Sequence, residues 1–398
     1  MTMKSFLIFA LLLSAFSFEL SASLFPAWAE TKAPELTYKI QKVVYEAQQA
    51  MEKEEYLKAE QCLWKYFKKH PQKPHYLVQF TMGNVLTLMG KEKKALSYYE
   101  TAADLYPEYA PTWQNMGKIY FDMKQYEKGG DCLLKTYELV EKKEPSLLYN
   151  VAVCYLIAGK AKKALPHLER LISGEKVSPK TEWLEALLKV YMDLKLKEKA
   201  VAVVRRLIDE NRDNPRWWKI LAQLHLQQND YKKALAALTI HSYLTPLNRE
   251  DIILLGDLSN AVGVPVKAAG YYEKALGLQA DPSDYEKLAS AYITAHRQTR
   301  ALEVLDKALK IKPCSKLWFM MGHTLYQEEK FNKAYKAFDQ SARLNPGIGR
   351  AYLMMGYCAL HMNKKGKARM AFQKATRFSK QRKTAKKLLK HVSSLKER

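Results

Sequence analysis

The chain has 398 residues, which at roughly 150 residues per domain is enough for two or three ordinary domains. Hydrophobic residues at 48% and aromatics at 11% exclude a disordered polycation, because such chains lack the apolar surface that offsets ordering entropy. The 65 Lys+Arg exceed the 41 Asp+Glu by +24, which raises nucleic acid as a partner and makes the position of that charge decisive.

Taken from the N-terminus, Lys4 precedes an apolar run from Phe6 to Phe18, and Ala27-Trp28-Ala29 puts small residues where a signal peptidase inspects them. Residues 1–29 therefore read as a cleavable secretory signal, with cleavage before Glu30 and the periplasm as destination. An uncleaved inner-membrane anchor is the alternative. Glu19 interrupts the run before the roughly 20 apolar residues that a spanning helix needs. Cys62, Cys132, Cys154, Cys314 and Cys358 show neither CxxC spacing nor a Cys/His cluster, so they read as small packing residues. Cys132 with Cys154 is the one pair placed to bridge adjacent helices.

After the signal, one pattern recurs. Trp113, Gly117, Gly129 align with Trp318, Gly322, Ala334, Phe338 and with Tyr352, Gly356, Ala368, Phe372. An aromatic is followed four on by Gly or Ala, twelve further by a small residue, and four further by an aromatic or Leu. The small residue marks ten units: Ala59, Ala95, Gly129, Ala164, Ala200, Ala234, Ala268, Ala301, Ala334 and Ala368, spaced 33 to 36 apart. Each unit predicts two helices crossing at the marker. Pro71, Pro107, Pro246, Pro313 and Pro346 are placed to end second helices, since proline cannot continue one. The fourth and fifth units carry Ile172-Ser173-Gly174-Glu175 and Asn211-Arg212-Asp213-Asn214 instead, and the seventh opens on Ile252, so these three are expected to be locally irregular. Beyond the tenth, Ala385, Leu388, Leu389, Val392 and Leu395 at helical spacing predict a basic amphipathic capping helix over 381–398.

This pattern resembles the tetratricopeptide repeat (TPR). The resemblance implies an all-α solenoid over 30–380, a right-handed superhelix of about ten helix-turn-helix repeats whose first helices line a concave groove for a protein partner. The family's groove positions fall on Phe80, Asn84, Gln114, Lys118, Phe121 and Tyr149 near the front. They fall on Lys219 and Gln223 in the middle, and on Phe319, His323, Tyr326 and Tyr357 near the end. Aromatic anchors among polar groups suit peptide recognition, although side chains at such positions also pack within or between repeats. Asn84 and Asn115 match a terminal-carboxylate clamp, but Phe80 and Ser146 stand where its lysines belong, which speaks against that clamp.

No HExxH, GxSxG, P-loop or dinucleotide fingerprint occurs, so no enzyme, cofactor or metal site is expected. Two segments, Asn214-Pro215-Arg216-Trp217-Trp218-Lys219-Ile220-Leu221-Ala222-Gln223-Leu224 and Phe378-Ser379-Lys380-Gln381-Arg382-Lys383-Thr384-Ala385-Lys386-Lys387-Leu388-Leu389, the latter following Met355-Gly356-Tyr357-Cys358-Ala359-Leu360, together with the exported start and ten-unit length, are similar to the periplasmic TPR protein that accompanies certain ExbB–ExbD–TonB energy-transducing systems. That resemblance implies an adaptor with TonB, ExbB or ExbD as partners. An envelope-assembly scaffold for peptidoglycan or pilus machinery is the alternative, and a charge-driven membrane-surface binder is another.

The charge is uneven. Residues 361–398 hold fourteen Lys/Arg against Glu397 alone, more than half of the whole excess. No aromatic-basic recognition module accompanies it, and an exported protein does not meet nucleic acid, which is therefore not expected as a partner. Lys383, Lys386, Lys387 and Lys390 form the face opposite the cap's apolar stripe, either a solvated outer face or a docking surface for anionic lipid or an acidic partner.

Overall fold

The computed structural model describes residues 34–173, 179–278 and 282–394; among them the chain forms 21 α-helices and no strand. The expected signal at 1–29 lies outside the described residues. No helix among those described is long and apolar enough to cross a membrane.

Twenty of the helices form ten helix-turn-helix hairpins, and the chain divides into two compact units between Asp209 and Glu210. In the first unit α1 (Tyr38–Glu52) pairs with α2 (Tyr56–Lys69), α3 (Tyr76–Leu88) with α4 (Glu92–Leu105), and α5 (Ala110–Asp122) with α6 (Tyr126–Leu139). There also α7 (Pro145–Ile157) pairs with α8 (Ala161–Ser173), and α9 (Thr181–Asp193) with α10 (Lys197–Glu210), whose last residue opens the second unit. In the second unit α11 (Pro215–Gln227) pairs with α12 (Tyr231–Leu244), α13 (Arg249–Ala261) with α14 (Pro265–Leu278), and α15 (Pro282–Thr294) with α16 (Gln298–Ile311). Then α17 (Ser315–Gln327) pairs with α18 (Phe331–Leu344), α19 (Gly349–His361) with α20 (Lys365–Ala375), and α21 (Ser379–Ser394) follows.

The small-residue markers sit at the crossings. All nine marker alanines are fully buried and Gly129 is buried too. The reason is backbone approach: a Cβ on Gly129 would lie 3.1 Å from the carbonyl oxygen of Gly117 on the facing helix. The aromatic four residues beyond the marker fills the space over the first-helix glycine, so that Tyr99, Phe338 and Phe372 are wholly buried. Burying each such ring stabilises by roughly 1.5–3 kcal/mol.

Every hairpin turns in the same way. Five residues before each marker one residue has positive φ: Gly90, Gly159 and Gly263 at 69–82°, and Glu54, Lys124, Lys195, Asn229, His296, Glu329 and Asn363 at 54–60°. The next amide then donates to the carbonyl five residues back, at 2.8–2.9 Å in all ten turns, as from Glu55 to Ala50 and from Lys364 to Ala359. This left-handed cap satisfies carbonyls that a helix end would otherwise leave open.

Between hairpins the five prolines stop the second helices as expected: α2, α4, α12, α16 and α18 end two residues before Pro71, Pro107, Pro246, Pro313 and Pro346. The opening indoles of Trp113 and Trp218 donate to the carbonyls of Pro107 and Arg212 in the preceding turn, each at 2.8 Å.

The expected irregularities resolve differently. After α10 the side chain of Asn214 accepts from the Arg216 amide at 3.0 Å and starts the next helix without a terminal proline. The seventh hairpin is regular despite Ile252, which is buried, and Gly256 packs against Tyr272 as in its neighbours. At the fourth unit, Gly174 and Glu175 lie outside the described residues. The fourth unit departs elsewhere, by carrying Pro166 inside α8.

The cap helix α21 begins at Ser379, two residues before the expected start; Leu395 and the rest of 395–398 lie outside the described residues. Its stripe is spent on packing: Ala385 and Val392 are buried and Leu388 and Leu389 half-buried, against Ala359, Leu360, Ala368 and Phe372.

Candidate functional site

The candidate groove residues all fall on first helices, and the structure divides them by what already occupies them. On α3 the Phe80 ring packs on Tyr99 and Tyr109, with centroids 5.7 and 5.1 Å away. The Asn84 amide oxygen accepts from the Tyr99 hydroxyl at 2.7 Å and from the Asn115 amide at 2.8 Å. The two asparagines at the clamp-like positions, whose lysines are missing, are therefore bonded to each other. Burial pushes the Tyr99 phenol up to about 12, partly offset by bonds from Thr87 and Asn115.

On α5, Gln114 and Lys118 are half-buried with no side-chain hydrogen bond among the described residues, while Phe121 meets the Tyr126 ring edge-on at 5.1 Å. Tyr149 on α7 departs from the groove expectation. It is 5% exposed, and its hydroxyl has no partner among the described residues. Burial, and then the charges of Glu182 and Glu185, raise its phenol above the usual range. The tight face of α7, with its run of Val151, Ala152, Val153 and Cys154 buried, draws this ring into the core.

In the second unit Lys219 on α11 is bound to Asp251 at 2.6 Å, a carboxylate that is 7% exposed and has His241 Nε2 4.0 Å away. Gln223 is half-buried. Phe319, His323 and Tyr326 on α17 and Tyr357 on α19 are also half-buried, and the three on α17 gather partners from the next hairpin. The Arg350 guanidinium stands 5.4 Å from the Phe319 centroid. Burial, with the Arg350 charge, lowers the His323 pKa. The Tyr326 hydroxyl lies 3.0 Å from His361 Nε2, and His361 stacks on Phe331 at 4.2 Å. Tyr357 packs edge-on to Phe372 at 5.9 Å.

Arg350, His361 and Asp251 thus belong to this surface, although the repeat pattern did not mark them. The available signal was a spacing of 31 to 35 residues from Phe319, Tyr326 and Lys219, one repeat onward. Lys383, Lys386, Lys387 and Lys390 are all exposed on α21. No group of three or more His, Cys, Asp or Glu arranged to hold a metal occurs among the described residues. The Cys132, Cys154 and Cys358 thiols are buried and free, each pushed up to about 12 chiefly by burial. No bond joins Cys132 to Cys154.

Tetratricopeptide-repeat family models match residues 78–109, 110–139, 155–224 and 319–382. Among curated proteins the chain is 19% identical over 318 residues to the BBSome complex member BBS4 of Bos taurus, covering 79% of this chain and 60% of that protein. It is 24% identical to the protein O-mannosyl-transferase TMTC1 of Homo sapiens over 45% of this chain and 21% of that one. It is 23% identical to a DnaJ homolog subfamily C member 7 homolog of Schizosaccharomyces pombe over 60% and 49%. The chain therefore spans less than two thirds of each of these relatives. Among solved structures, Naa15/Naa10 bound to HypK-THB aligns with a TM-score of 0.53 at 12% identity, over 89% of this chain and 65% of that one, which shows the fold. The TPR protein YrrB aligns over 47% of this chain and 97% of that one at 20% identity, with a TM-score of 0.39.

Proposed function

The chain carries tetratricopeptide repeats, and on that premise we propose that it is a periplasmic scaffold that binds protein segments on its first helices and has no catalytic chemistry of its own. A scaffold of this kind is suited to protein–protein interaction. The observation that carries the reading is the set of half-buried side chains on first helices: Gln114 and Lys118 on α5 in one unit and, separately, Phe319, His323, Tyr326 and Tyr357 on the successive first helices α17 and α19 in the other. Aromatic faces beside polar tips offer both contact area and hydrogen bonds to a peptide. The name of the bovine relative, a complex member, fits such a role.

The narrower reading places the partner in a TonB, ExbB and ExbD system. Its support is the resemblance of the segments around Trp217 and Lys386. In the structure Trp217 is 2% exposed and Arg216 covers its ring at 4.6 Å, so this part of the signature is a packing feature, and only a binding experiment identifies the partner.

Photo-crosslinking residues placed at Lys118 and at Tyr357, each in cells, are the test. Crosslinks to TonB, ExbB or ExbD from both positions support the adaptor; crosslinks to wall-synthesis or pilus proteins transfer the chain to envelope assembly. No crosslink from either position, with crosslinks from second-helix positions instead, removes the first-helix surface as the site. Export is tested on the same cells: the periplasmic chain should begin at Glu30, and a chain beginning at Met1 in the membrane fraction replaces that reading with an anchored one.

A further inference from the structure

The last hairpin and its cap form a surface of one sign. No Asp or Glu occurs in the sequence between Asp339 and Glu397, so no carboxylate lies within this stretch to pair with the cations of α20 and α21. Lys383, Lys386, Lys387, Lys390, Arg377 and Lys380 are all exposed, and none of these six forms an ion pair among the described residues. Arg382 beside them gives its Nε–H to the Thr376 carbonyl at 3.1 Å, and the Lys374 ammonium lies 5.6 Å from the Tyr352 ring centroid, contacts that leave the positive charge in place.

The same helices fix the kind of partner. A membrane-active amphipathic helix inserts its apolar stripe. On α21 that stripe is already spent against Phe372 and Leu360, which leaves only the cationic side open. The exposed face carries no large anchor except Met370, and Phe372 and Phe378 are drawn inward, so there is no aromatic platform on which bases would stack. An acidic protein partner would gain most of its affinity from buried apolar or aromatic anchors, and this face offers almost none. A rigid, single-sign, anchor-poor face complements a diffuse anionic surface.

We propose that the C-terminal hairpin and cap adsorb to an anionic bilayer by charge alone, without insertion, and so hold the partner-binding helices beside a membrane. This goes beyond the scaffold reading and does not depend on which protein the first helices bind.

The experiment is co-sedimentation of the full chain with vesicles of phosphatidylcholine alone and with vesicles containing phosphatidylglycerol, at low and high salt. A variant carrying Lys383→Gln, Lys386→Gln, Lys387→Gln and Lys390→Gln is compared; both proteins share residues 1–33, so that segment contributes equally. With each basic residue near an anionic surface attracting it independently, the wild-type chain should bind the anionic vesicles at least about tenfold more tightly than the variant. That difference should shrink strongly in high salt, where the Debye length falls to about 3 Å at 1 M. Circular dichroism should be unchanged, because all four lysines are exposed. Equal binding to both vesicle types, or anionic-vesicle binding that survives the four substitutions, overturns the proposal. Binding to polyglutamate or duplex DNA without binding to anionic vesicles also overturns it and assigns the face to an acidic protein or a nucleic acid.

Discussion

Gly356 lies under the ring of Phe372: a Cβ built on Gly356 would stand 2.2 Å from Phe372 Cε1. The same relationship joins Gly83 to Tyr99, Gly256 to Tyr272 and Gly322 to Phe338, each sixteen residues apart, at 2.5, 2.5 and 2.8 Å. The ring is fully buried at Phe372, so neither partner has room to move. Gly356→Ala should therefore lower stability by about 1–3 kcal/mol, the usual cost of overpacking, even though alanine favours helix. Gly270, inside α14 with nothing within 4 Å of its would-be Cβ, is the control. Gly270→Ala should raise stability by up to about 1 kcal/mol. Urea midpoints of the two variants decide it, and a Gly356→Ala protein as stable as the wild type sinks the argument.

The turns make a second prediction. His296 holds φ 54° where Gly90 holds φ 69° in the equivalent turn. A side chain in that left-handed region costs about 1 kcal/mol or more. His296→Gly should be neutral to stabilising, and Gly90→Ala destabilising by about 1 kcal/mol, although nothing crowds Gly90. Thermal unfolding of both variants is the measurement.

Asn84 joins two first helices and one second helix through Tyr99 and Asn115. Asn84→Ala leaves the buried Tyr99 hydroxyl with only Thr87 at 3.2 Å and Asn115 at 3.3 Å, so it should cost about 1–3 kcal/mol. Tyr99→Phe removes the donor while Asn84 keeps Asn115, and should cost less. The reverse order, read from urea midpoints, would contradict the assigned network.

Thiol reactivity follows from burial. With the Cys132, Cys154 and Cys358 thiols near 12, their thiolate fraction at pH 8 is about one in ten thousand. The native chain should leave these three unlabelled by a disulfide reagent, while the denatured, unreduced chain should titrate all five. Three titratable thiols under denaturing conditions would show that two cysteines are joined.

His75 sets a pH dependence. Its Nδ1 accepts from the Leu77 amide at 3.2 Å and caps α3, and burial lowers its pKa. The folded state thus favours neutral imidazole, so stability is full above the unfolded value of about 6.5 and falls as the pH drops below it. Protonation also removes the capping acceptor. Urea midpoints should decline between pH 7.5 and 5.5, and His75→Asn, which keeps an acceptor without titrating, should flatten that decline. An equally steep decline in the variant would move its origin to the other histidines whose pKa burial lowers, His167 and His323.

Much of this molecule was determined by the sequence alone, because its contacts recur at short, constant spacing. A small residue every 33 to 36 positions, with a Gly or Ala twelve before it and an aromatic or Leu four after it in nine of the ten units, is enough to specify a hairpin, since the helices can cross closely only there. Prolines mark the ends of five second helices for an equally local reason. The turn residue escaped, because seven of the ten left-handed positions carry Glu, Lys, Asn or His, and the backbone bond that holds them is set by the helix before and the helix after. The tertiary structure alone decided which groove side chains remain available. Asn84 is taken by Asn115, 31 residues away, Lys219 by Asp251, and Tyr149 by the core, while Tyr326 reaches His361 across 35 residues. Availability depends on partners one repeat distant, whose side chains meet only after the helices have stacked. The basic end follows the same division: its lysines are visible in the sequence, but the packing of α21 decides that they face outward with the apolar stripe already used.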